Sequence, residues 1–398
     1  MYDISACQRF QHALAASFGV DLGSAVGPWW NPPFYAWVFV PLAWLPYETA
    51  LALWLGIDVI CAAAACWVMV RMLPRGEKSA KERWKNWLLV PVLVGLSMPF
   101  LQCMTHAQNS CTSLLILAAA VAAWRGRRGA MAGAILGLLF YKPQLAAVLA
   151  IVLIVDLGWP AVAGLGMMGA GLLAINIITL PGSLTDYLHR LPGNVRFVQT
   201  QVPYMWDRHV TIKAFWRLLF QGRTAGPAYG IVTVLTVVCC AGLGGYLVKG
   251  MWGYWRSSRQ IEKPPQSGGL MERAEAASRA RDRLISAAIA ATPLLMPFYF
   301  DYDQLLLAIP AVLLAGEWLR RPTGASVSRL DRLLLIVWPI YYCVLILNPD
   351  IGEAIHVNLA VPLLATIATL NIARLNHHAD AVQFSESPVG SAPVRLAA

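Results

Sequence analysis

The sequence predicts an all-α polytopic membrane protein, a bundle of about ten to eleven transmembrane or re-entrant helices. Of its 398 residues, 58% are hydrophobic and 13% are charged, and the mean hydropathy is +0.56. A soluble globular domain carries about 25% charged residues, so this composition excludes that class. Hydrophobic runs recur regularly along the whole chain, which favours one membrane-embedded body over several soluble domains.

The hydrophobic runs predict the helices in order. A full membrane span needs about 20 residues, so the shorter runs are expected to tilt, to extend into their flanks or to be re-entrant. We assign residues 48–375 to the membrane domain, with a cytoplasmic linker at 249–283. The runs cover residues 48–70, 87–101, 109–124, 129–141, 143–156, 159–180, 226–248, 284–300, 304–319, 333–347 and 356–373.

The basic residues predict the orientation. Placing four basic clusters in the cytoplasm satisfies the positive-inside rule and lets the connecting turns alternate between the two sides. This predicts a multi-pass protein of the plasma (inner) membrane with a cytoplasmic C-terminus, in which residues 376–398 form a disordered tail. The clusters lie at 71–85, 125–128, 249–283 and 320–332.

The segment 181–225 is an exception, because it is basic and yet falls on the outer side. Long loops obey the positive-inside rule poorly. Residues 210–220 (VTIKAFWRLLF) predict an amphipathic helix that lies on the membrane surface.

The N-terminal region is expected to lie outside. With the cluster 71–85 in the cytoplasm, the run 48–70 enters from the outer side. Residues 31–46 are too short and too rich in proline for an easy span, so we expect an interfacial half-helix within an outer-face segment 1–47. Residues 1–30 then begin outside with nothing to carry them there, and we expect the chain to lack a first transmembrane helix.

Charge and cysteine content argue against two other classes of function. The net charge of +10 is distributed in short clusters with no basic, aromatic-rich stripe, so nucleic-acid binding is not expected. The eight cysteines show no CxxC pair and no metal-ligand spacing, so no metal site is assigned from the sequence. Cys103 and Cys111 flank a predicted outer loop, and a disulfide between them is left open.

Lys142 is the strongest single candidate for chemistry. It lies between two apolar halves, GAILGLLFY and PQLAAVLAIVLIV, where a charge costs a few kcal/mol. Such a charge commonly lines a cavity or a substrate path, and a lysine suits an anionic group such as a phosphate. The alternative is a lysine that snorkels to the interface from a hairpin turn.

Other polar residues gather on the same predicted outer side. Asp301 and Asp303 follow each other at i and i+2, so they are expected to point apart, and an ordinary polar turn is the alternative. Gln108 and Asn109 precede an apolar helix, which fits either a helix cap or a site for sugar hydroxyls. Asp58 is buried in an apolar run and should face protein or water. The remaining outer residues are Asp3, Asn31, His106, His189, Asp207, Arg208, His209 and Gln304.

Several segments resemble glycosyltransferase family 87, a group of polyprenyl-phosphate-sugar-dependent, mannosyltransferase-like membrane proteins with the GT-C fold. AGAILGLLFYKPQLA (132–146) is similar to the family's AGxLxGLLxYKPQ segment. HAQNSCTSLLILAAA (106–120) is similar to its GQN-containing helix, with Ala107 where glycine is usual. NPPFYAWVFVPLAWLPYETALALW (31–54) and MPFYFDYDQLLLAIP (296–310) resemble two further family segments, and Tyr2-Asp3 resembles the Tyr-Asp that precedes them.

The resemblance implies a GT-C hexosyltransferase that moves mannose or a similar sugar from a polyprenyl-phosphate donor to a lipid or glycan acceptor at the extracytoplasmic face. It implies that Lys142 binds the donor phosphate. The family's base aspartate precedes the Tyr-Asp, so the base is unknown here and Asp3 and Asp303 are the remaining candidates. No cofactor is implied with certainty, and a divalent metal is left open. The implied cavity-lining residues are Asn31, Gln108, Asn109, Gln144, Asp301 and Asp303.

A second hypothesis is a non-catalytic membrane protein, either a lipid-glycan transporter or a truncated, inactive transferase. Transporters commonly contain internal repeats with broken helices at corresponding positions. The surroundings of KPQ (142–144) and DYDQ (301–304) differ, so the sequence shows no such repeat. This difference favours the enzyme.

Overall fold

The computed structural model describes residues 2–23, 27–74, 80–201, 204–261, 270–321 and 326–385. Within these ranges the chain is helical and contains no β-strand. The α-helices are α1 (Ile4–Ser17), α2 (Tyr47–Met72), α3 (Ala80–Gly95), α4 (Met98–Thr105), α5 (Ser110–Arg125), α6 (Gly129–Gly137), α7 (Pro143–Leu157), α8 (Trp159–Thr179), α9 (Ser183–Gln201), α10 (Ile212–Gln221), α11 (Gly230–Ile261), α12 (Leu270–Leu295), α13 (Ala308–Leu319), α14 (Arg329–Ile355) and α15 (Ala360–Ser385).

Five helices of the described part are long and apolar enough to cross a membrane. They are Tyr47–Met72, Trp159–Thr179, Gly230–Arg259, Asp301–Leu319 and Arg329–Ile355. A sixth span results if Trp87–Gly95 and Met98–Thr105, which meet at 57°, are counted together. Four further apolar helices are shorter: Ser110–Arg125, Gly129–Tyr141, Pro143–Leu157 and Ala360–Asn376. The polytopic helical prediction is therefore confirmed, whereas the count of ten to eleven is not.

Prolines break up the segment 31–46, for which the sequence predicts a half-helix. Residues 31–46 form two 3₁₀ turns, Pro33–Val38 and Leu42–Trp44. Proline lacks an N–H donor, so a stretch rich in proline favours such short turns over a continuous helix. The indole of Trp37 attaches this segment to the end of α8 by donating to Thr179 Oγ1 at 2.8 Å.

Close packing of α6 against α8 depends on glycine. A Cβ at Gly164 would lie 2.0 Å from the carbonyl oxygen of Ala130, and one at Gly133 would lie 2.3 Å from that of Ala161. Only glycine lets two backbones approach this closely, as in small-residue helix pairs in membranes. The seam holds α6 and α8 together, and Lys142 lies at the turn between α6 and α7.

The segment 181–225 consists of α9, a 3₁₀ turn at Trp206–Arg208 and α10. The helix predicted at 210–220 is therefore confirmed. Thr211 caps it, since its Oγ1 accepts a hydrogen bond from Ala214 N at 3.0 Å. Arg217 is only 1% exposed and donates to the carbonyls of the turn that follows α10, so its charge is satisfied internally.

Polar clusters lie at both ends of the helices that cross the bundle. Ser110 at the start of α5 bonds to Asp303, and Arg125 at its end pairs with Asp282 at 2.7 Å. The sixteen residues of α5 separate these ends by about 24 Å. Lys142 directly precedes α7, and Asp156 near the end of α7 pairs with Arg281 at 2.9 Å.

The second end gathers three of the four predicted cytoplasmic segments. Arg125 from 125–128 and Arg320 from 320–332 both pair with Asp282, which belongs to the segment 249–283. Arg374 of α15 joins Glu317 at 2.7 Å and Asp331 at 2.6 Å. Helix α15 continues through Ser385, so residues 376–385 of the predicted disordered tail are helical. The rest of that tail, 386–398, lies outside the described residues, as do residues 75–79 and 262–269 of two predicted cytoplasmic segments.

Candidate active site

Lys142 lies at a break between two helical segments. Residues Leu138–Tyr141 form a 3₁₀ turn, and Pro143 begins α7. Because a proline disfavours helical geometry in the residue before it, Lys142 adopts φ −129° and ψ 74°. This break allows the side chain of Lys142 to turn into the bundle.

The ammonium of Lys142 is buried in an ion pair. Its Nζ lies 2.9 Å from Oδ1 of Asp303, and the two residues are 8% and 1% exposed. Ser110 Oγ donates to the same oxygen at 2.6 Å, and the hydroxyl of Tyr299 donates to the Asp303 carbonyl at 3.0 Å. Lys142 therefore points into the protein, and its charge is compensated there.

The neighbouring carboxylate, Asp301, pairs with a different cation, Arg208. Asp301 accepts two hydrogen bonds from Arg208, at 2.9 and 3.0 Å, and Arg208 also contacts His106 Nε2 at 3.0 Å. Burial alone would lower the pKa of Arg208, but pairing with Asp301 outweighs it and raises this pKa above its ordinary value. The two aspartates of the Asp-Tyr-Asp segment thus point apart, as their i, i+2 spacing predicts.

Two stacked tyrosines lie next to the Lys142–Asp303 ion pair. The rings of Tyr35 and Tyr141 are parallel to within 8°, with centroids 4.3 Å apart. Asn109 Nδ2 donates to the Tyr35 hydroxyl at 2.7 Å, and Ser113 Oγ lies 2.7 Å from the Tyr141 hydroxyl. Asn109 occupies the N-cap position of α5, but its side chain makes no capping bond. The cap interpretation is therefore wrong for this side chain.

An apolar cavity of about 460 Å³ opens beside the tyrosines. It lies between the proline-rich segment 31–46, α2, α5 and α8. Tyr35 and Tyr141 form part of its wall, together with aliphatic and aromatic side chains, among them Phe34, Trp54, Ile57, Ile116 and Leu172. Tyr141 directly precedes Lys142, so one residue of the cavity wall is next in the chain to the ion pair.

A larger cavity of about 690 Å³ lies at the opposite polar end and is lined mainly by arginine and glutamate. Most of its charges have partners in the described part of the chain. Arg283 and Arg374 pair with Glu317, and Arg321 pairs with Asp331. None of the predicted site residues lines either cavity, but Asn109 bonds to Tyr35 in the wall of the smaller one, so we associate the chemistry with that cavity.

The other predicted residues are spread over the outer segments. Asp3 caps α1 by accepting from Ala6 N at 2.9 Å, and its other oxygen lies 3.3 Å from Arg190. The Asn31 carbonyl accepts from Tyr2 at 2.8 Å. Gln108 donates to the His106 carbonyl at 3.2 Å, and Gln144 is half-buried in the first turn of α7. The structure thus brings together Lys142, Asp303 and Asn109, but not Asp3.

Sequence reasoning missed Ser110, Ser113, Tyr35 and Tyr141. A signal existed for the serines, because Asn109, Ser110 and Ser113 form a polar patch at the start of an otherwise apolar helix. For Tyr141 the resemblance offered a signal, because the YKPQ of the family segment includes it, whereas nothing in the sequence marked Tyr35.

A family model for glycosyltransferase family 87 matches residues 29–264, more than half of the chain. The chain belongs to glycosyltransferase family 87. The family membership and the apolar helices together identify a membrane glycosyltransferase. The family 87 match includes Asn31, Gln108, Asn109, Lys142 and Gln144, whereas Asp301 and Asp303 follow it in the chain. Neither a curated protein nor a solved structure matches this chain.

Proposed function

We propose that this family 87 protein transfers a hexose, mannose or a similar sugar, from a polyprenyl-phosphate donor to a hydroxyl of a lipid or glycan acceptor. The observation that carries the proposal is the buried Lys142 ammonium, which directly follows Tyr141 in the wall of an apolar cavity. A lipid-phosphate sugar combines an anionic head with a long apolar chain. A buried cation next to an apolar cavity fits that combination.

Lys142 would bind the donor phosphate. A lysine ammonium has three N–H donors, and Asp303 takes one of them at 2.9 Å. In the described part of the chain no acceptor bonds to the other two, which would bind phosphate oxygens. As the sugar–phosphate bond breaks, negative charge grows on the departing phosphate, and a fixed cation in a low-dielectric site stabilises that charge. Asp303 would hold the ammonium in position.

The apolar cavity would take the first part of the prenyl chain. Its wall is aromatic and aliphatic, and it lies between helices that are apolar enough to face lipid. Asn109, Gln108 and Gln144 are the polar side chains proposed to bind sugar hydroxyls, with Asn31 and Asp301 at the outer edge. Among the described residues, Asn109 Oδ1 is buried without a hydrogen-bond partner, so it can accept a bond from a sugar hydroxyl.

Transfer with inversion requires a base that removes a proton from the acceptor hydroxyl. Asp303 accepts from both Lys142 and Ser110 on one oxygen, which suits a positioning role better than proton removal. Asp3 caps a helix and pairs with Arg190. We therefore assign the base to neither residue.

The reaction is proposed to take place at the extracytoplasmic face of the plasma membrane. The opposite polar end gathers the basic segments that the positive-inside rule assigns to the cytoplasm. The end with Lys142 then faces outward, and the C-terminus lies in the cytoplasm.

A transfer assay on membranes tests the proposal. Membranes that contain the full chain receive radiolabelled polyprenyl-phosphate mannose, and labelled acceptor is separated from donor. We expect transfer by the wild type and a loss of about 100- to 1,000-fold for Lys142→Met, the range for removal of a charge-stabilising donor. Lys249→Met, which changes an exposed lysine on α11, should retain full activity.

Lys142→Met also leaves Asp303 without its cation, which costs about 3–5 kcal/mol in a buried pair. The double variant Lys142→Met/Asp303→Asn removes both charges and keeps a group that accepts from Ser110. A double variant that inserts and resists heat like the wild type but transfers no sugar would support the phosphate role. Normal transfer by this variant would overturn it, and no transfer by inserted wild type would favour a non-catalytic protein.

A further inference from the structure

Three potential metal ligands from three helices meet inside the bundle. Asp58 comes from α2, Cys103 from α4 and Cys111 from α5. One oxygen of Asp58 and the two sulfur atoms all lie within 4.8 Å of one another. All three residues are buried, and none of them is exposed to any measurable extent. The proposed transfer site does not use them.

Asp58 needs a partner that the described side chains do not supply. Both of its carboxylate oxygens are buried and without a hydrogen bond in this part of the chain. An ionised carboxylate is very costly to bury unless it is paired or bound to a metal. Lys142, the nearby cation, already bonds to Asp303. The carboxylate therefore points to a ligand.

The distance between the sulfur atoms fits a tetrahedral metal site. The two Sγ atoms lie 3.7 Å apart, whereas a disulfide bond is about 2.05 Å long. Zinc–sulfur bonds of about 2.3 Å at the tetrahedral angle separate two sulfur ligands by about 3.8 Å. Two thiolates and one carboxylate form a donor set for zinc, whereas Mg²⁺ and Ca²⁺ prefer oxygen ligands.

We propose that Asp58, Cys103 and Cys111 bind a thiophilic divalent cation of the Zn²⁺ type. Both thiols lose their protons on binding, so two protons are released to solvent for each cation bound. The hydrogen bond that Cys103 donates to the Gln108 carbonyl at 3.0 Å is given up with its proton. The three protein ligands leave a fourth position for water.

The site would connect α2 to the turn between α4 and α5. Cys111 directly follows Ser110, which bonds to Asp303 at 2.6 Å. A cation at this point would therefore hold the start of α5 in register with the Lys142–Asp303 pair. Its role is structural, and its binding does not depend on whether the protein transfers sugar.

Metal content tests the proposal directly. The full chain is purified in detergent without chelators, and zinc is measured by mass spectrometry against protein concentration. We expect about one zinc per chain. After removal of zinc, Co²⁺ should restore one equivalent of metal and give the thiolate-to-cobalt absorption band that reports sulfur ligands.

Matched variants assign the ligands. Cys103→Ser, Cys111→Ser and Asp58→Asn should each lower zinc retention at least tenfold, while Cys66→Ser should retain it. Cys66 is a suitable control because it is also buried on α2 but lies outside the cluster. Gel filtration of each variant separates loss of metal from loss of fold.

The wild-type protein decides the question even if a variant fails to fold. Eight thiols should react after denaturation in a chelator, one for each cysteine of the chain. Six reactive thiols and no zinc, with the disulfide mapped to Cys103 and Cys111 by peptide mass spectrometry, would overturn the proposal. Eight thiols with no zinc and no cobalt band would also overturn it.

Discussion

His209 shows how one residue of the outer segment makes stability depend on pH. Its ring is 1% exposed, and its Nε2 lies 2.7 Å from the Tyr204 hydroxyl. Burial, followed by the positive charges of Arg208 and Lys213, lowers its pKa to about 3. A histidine in an unfolded chain has a pKa of about 6.5. The folded protein therefore holds His209 neutral at pH values where the unfolded chain binds a proton.

We predict that this difference destabilises the protein in acid. Because the folded pKa is the lower one, the stabilising effect is complete above about pH 6.5 and is lost as the pH falls toward 3, by up to about 1.4 kcal/mol per pH unit. The thermal unfolding midpoint in detergent, recorded between pH 7.5 and 5, measures this loss of stability. His209→Gln should show a weaker pH dependence than the wild type, and equal slopes would contradict the prediction.

Ala107 occupies a backbone conformation that favours glycine. Its φ is +46°, in the left-handed region, and its carbonyl accepts from Trp54 Nε1 at 3.0 Å. Glycine is usual at this position in the family 87 segment that residues 106–120 resemble. Ala107→Gly should raise the free energy of unfolding by about 1 kcal/mol, because the left-handed conformation costs an L-residue about 1–2 kcal/mol. Denaturation with increasing detergent measures the shift, and a destabilised variant would contradict this explanation.

The sequence predicted single residues of the site better than their partners. Lys142 stood out because a charge between two apolar halves is costly. Its partner Asp303 is 161 residues away, so no local pattern could connect them. Asp58 was recognisable as a buried charge for the same reason. Its proximity to Cys103 and Cys111 depends on how α2 packs against α4 and α5, which spacing along the chain does not reveal.

At the scale of helices, the α6–α8 seam leads to a sharp prediction. A Cβ at Gly164 would lie 2.0 Å from a backbone oxygen that cannot move independently of α6. Gly164→Ala should therefore push α6 and α8 apart and destabilise the protein by about 1–3 kcal/mol, the usual cost of overpacking. Because Lys142 lies at the turn between α6 and α7, a displaced α6 would shift it, and sugar transfer should fall as well. The thermal unfolding midpoint and the transfer assay measure the two effects.

Gly166→Ala is the matched control. It changes the same residue type on the same helix, and a Cβ there has nothing within 4 Å. Both substitutions gain the same helix propensity, about 1 kcal/mol from glycine to alanine, so the difference between them isolates the contact. Equal stability of the two variants would show that α6 and α8 do not pack this closely.

The sequence predicted where most helices lie, but it predicted their lengths and their breaks only in part. Every predicted hydrophobic run overlaps a helix, because a membrane span must satisfy its backbone internally and be apolar outside. Helix α1 was missed because its sequence is mixed polar and shows no hydrophobic run. Residues 31–46 form 3₁₀ turns where a half-helix was expected, since prolines remove backbone donors.

At the scale of the whole molecule, the two polar ends differ in chemical character. At the end with Lys142, most cations pair with a single acid, as in Lys142–Asp303 and Arg208–Asp301, and the apolar cavity lies at the same end. The opposite end is a network in which several arginines share few acids, such as Arg283 and Arg374 on Glu317. An excess of arginine at one end of a helical bundle is typical of the cytoplasmic side. We therefore predict that the arginine-rich end faces the cytoplasm.

This direction can be measured with cysteines introduced at the two ends. His189→Cys lies on exposed α9 at the Lys142 end, and Ser326→Cys lies within the arginine-rich segment 320–332. In a parent chain with Cys7→Ser and Cys343→Ser, a membrane-impermeant maleimide applied to intact cells should label the cysteine at 189 but not the one at 326. Both should be labelled after the cells are lysed. The opposite pattern would turn Lys142 toward the cytoplasm, and an extracytoplasmic lipid-phosphate donor could then not reach it.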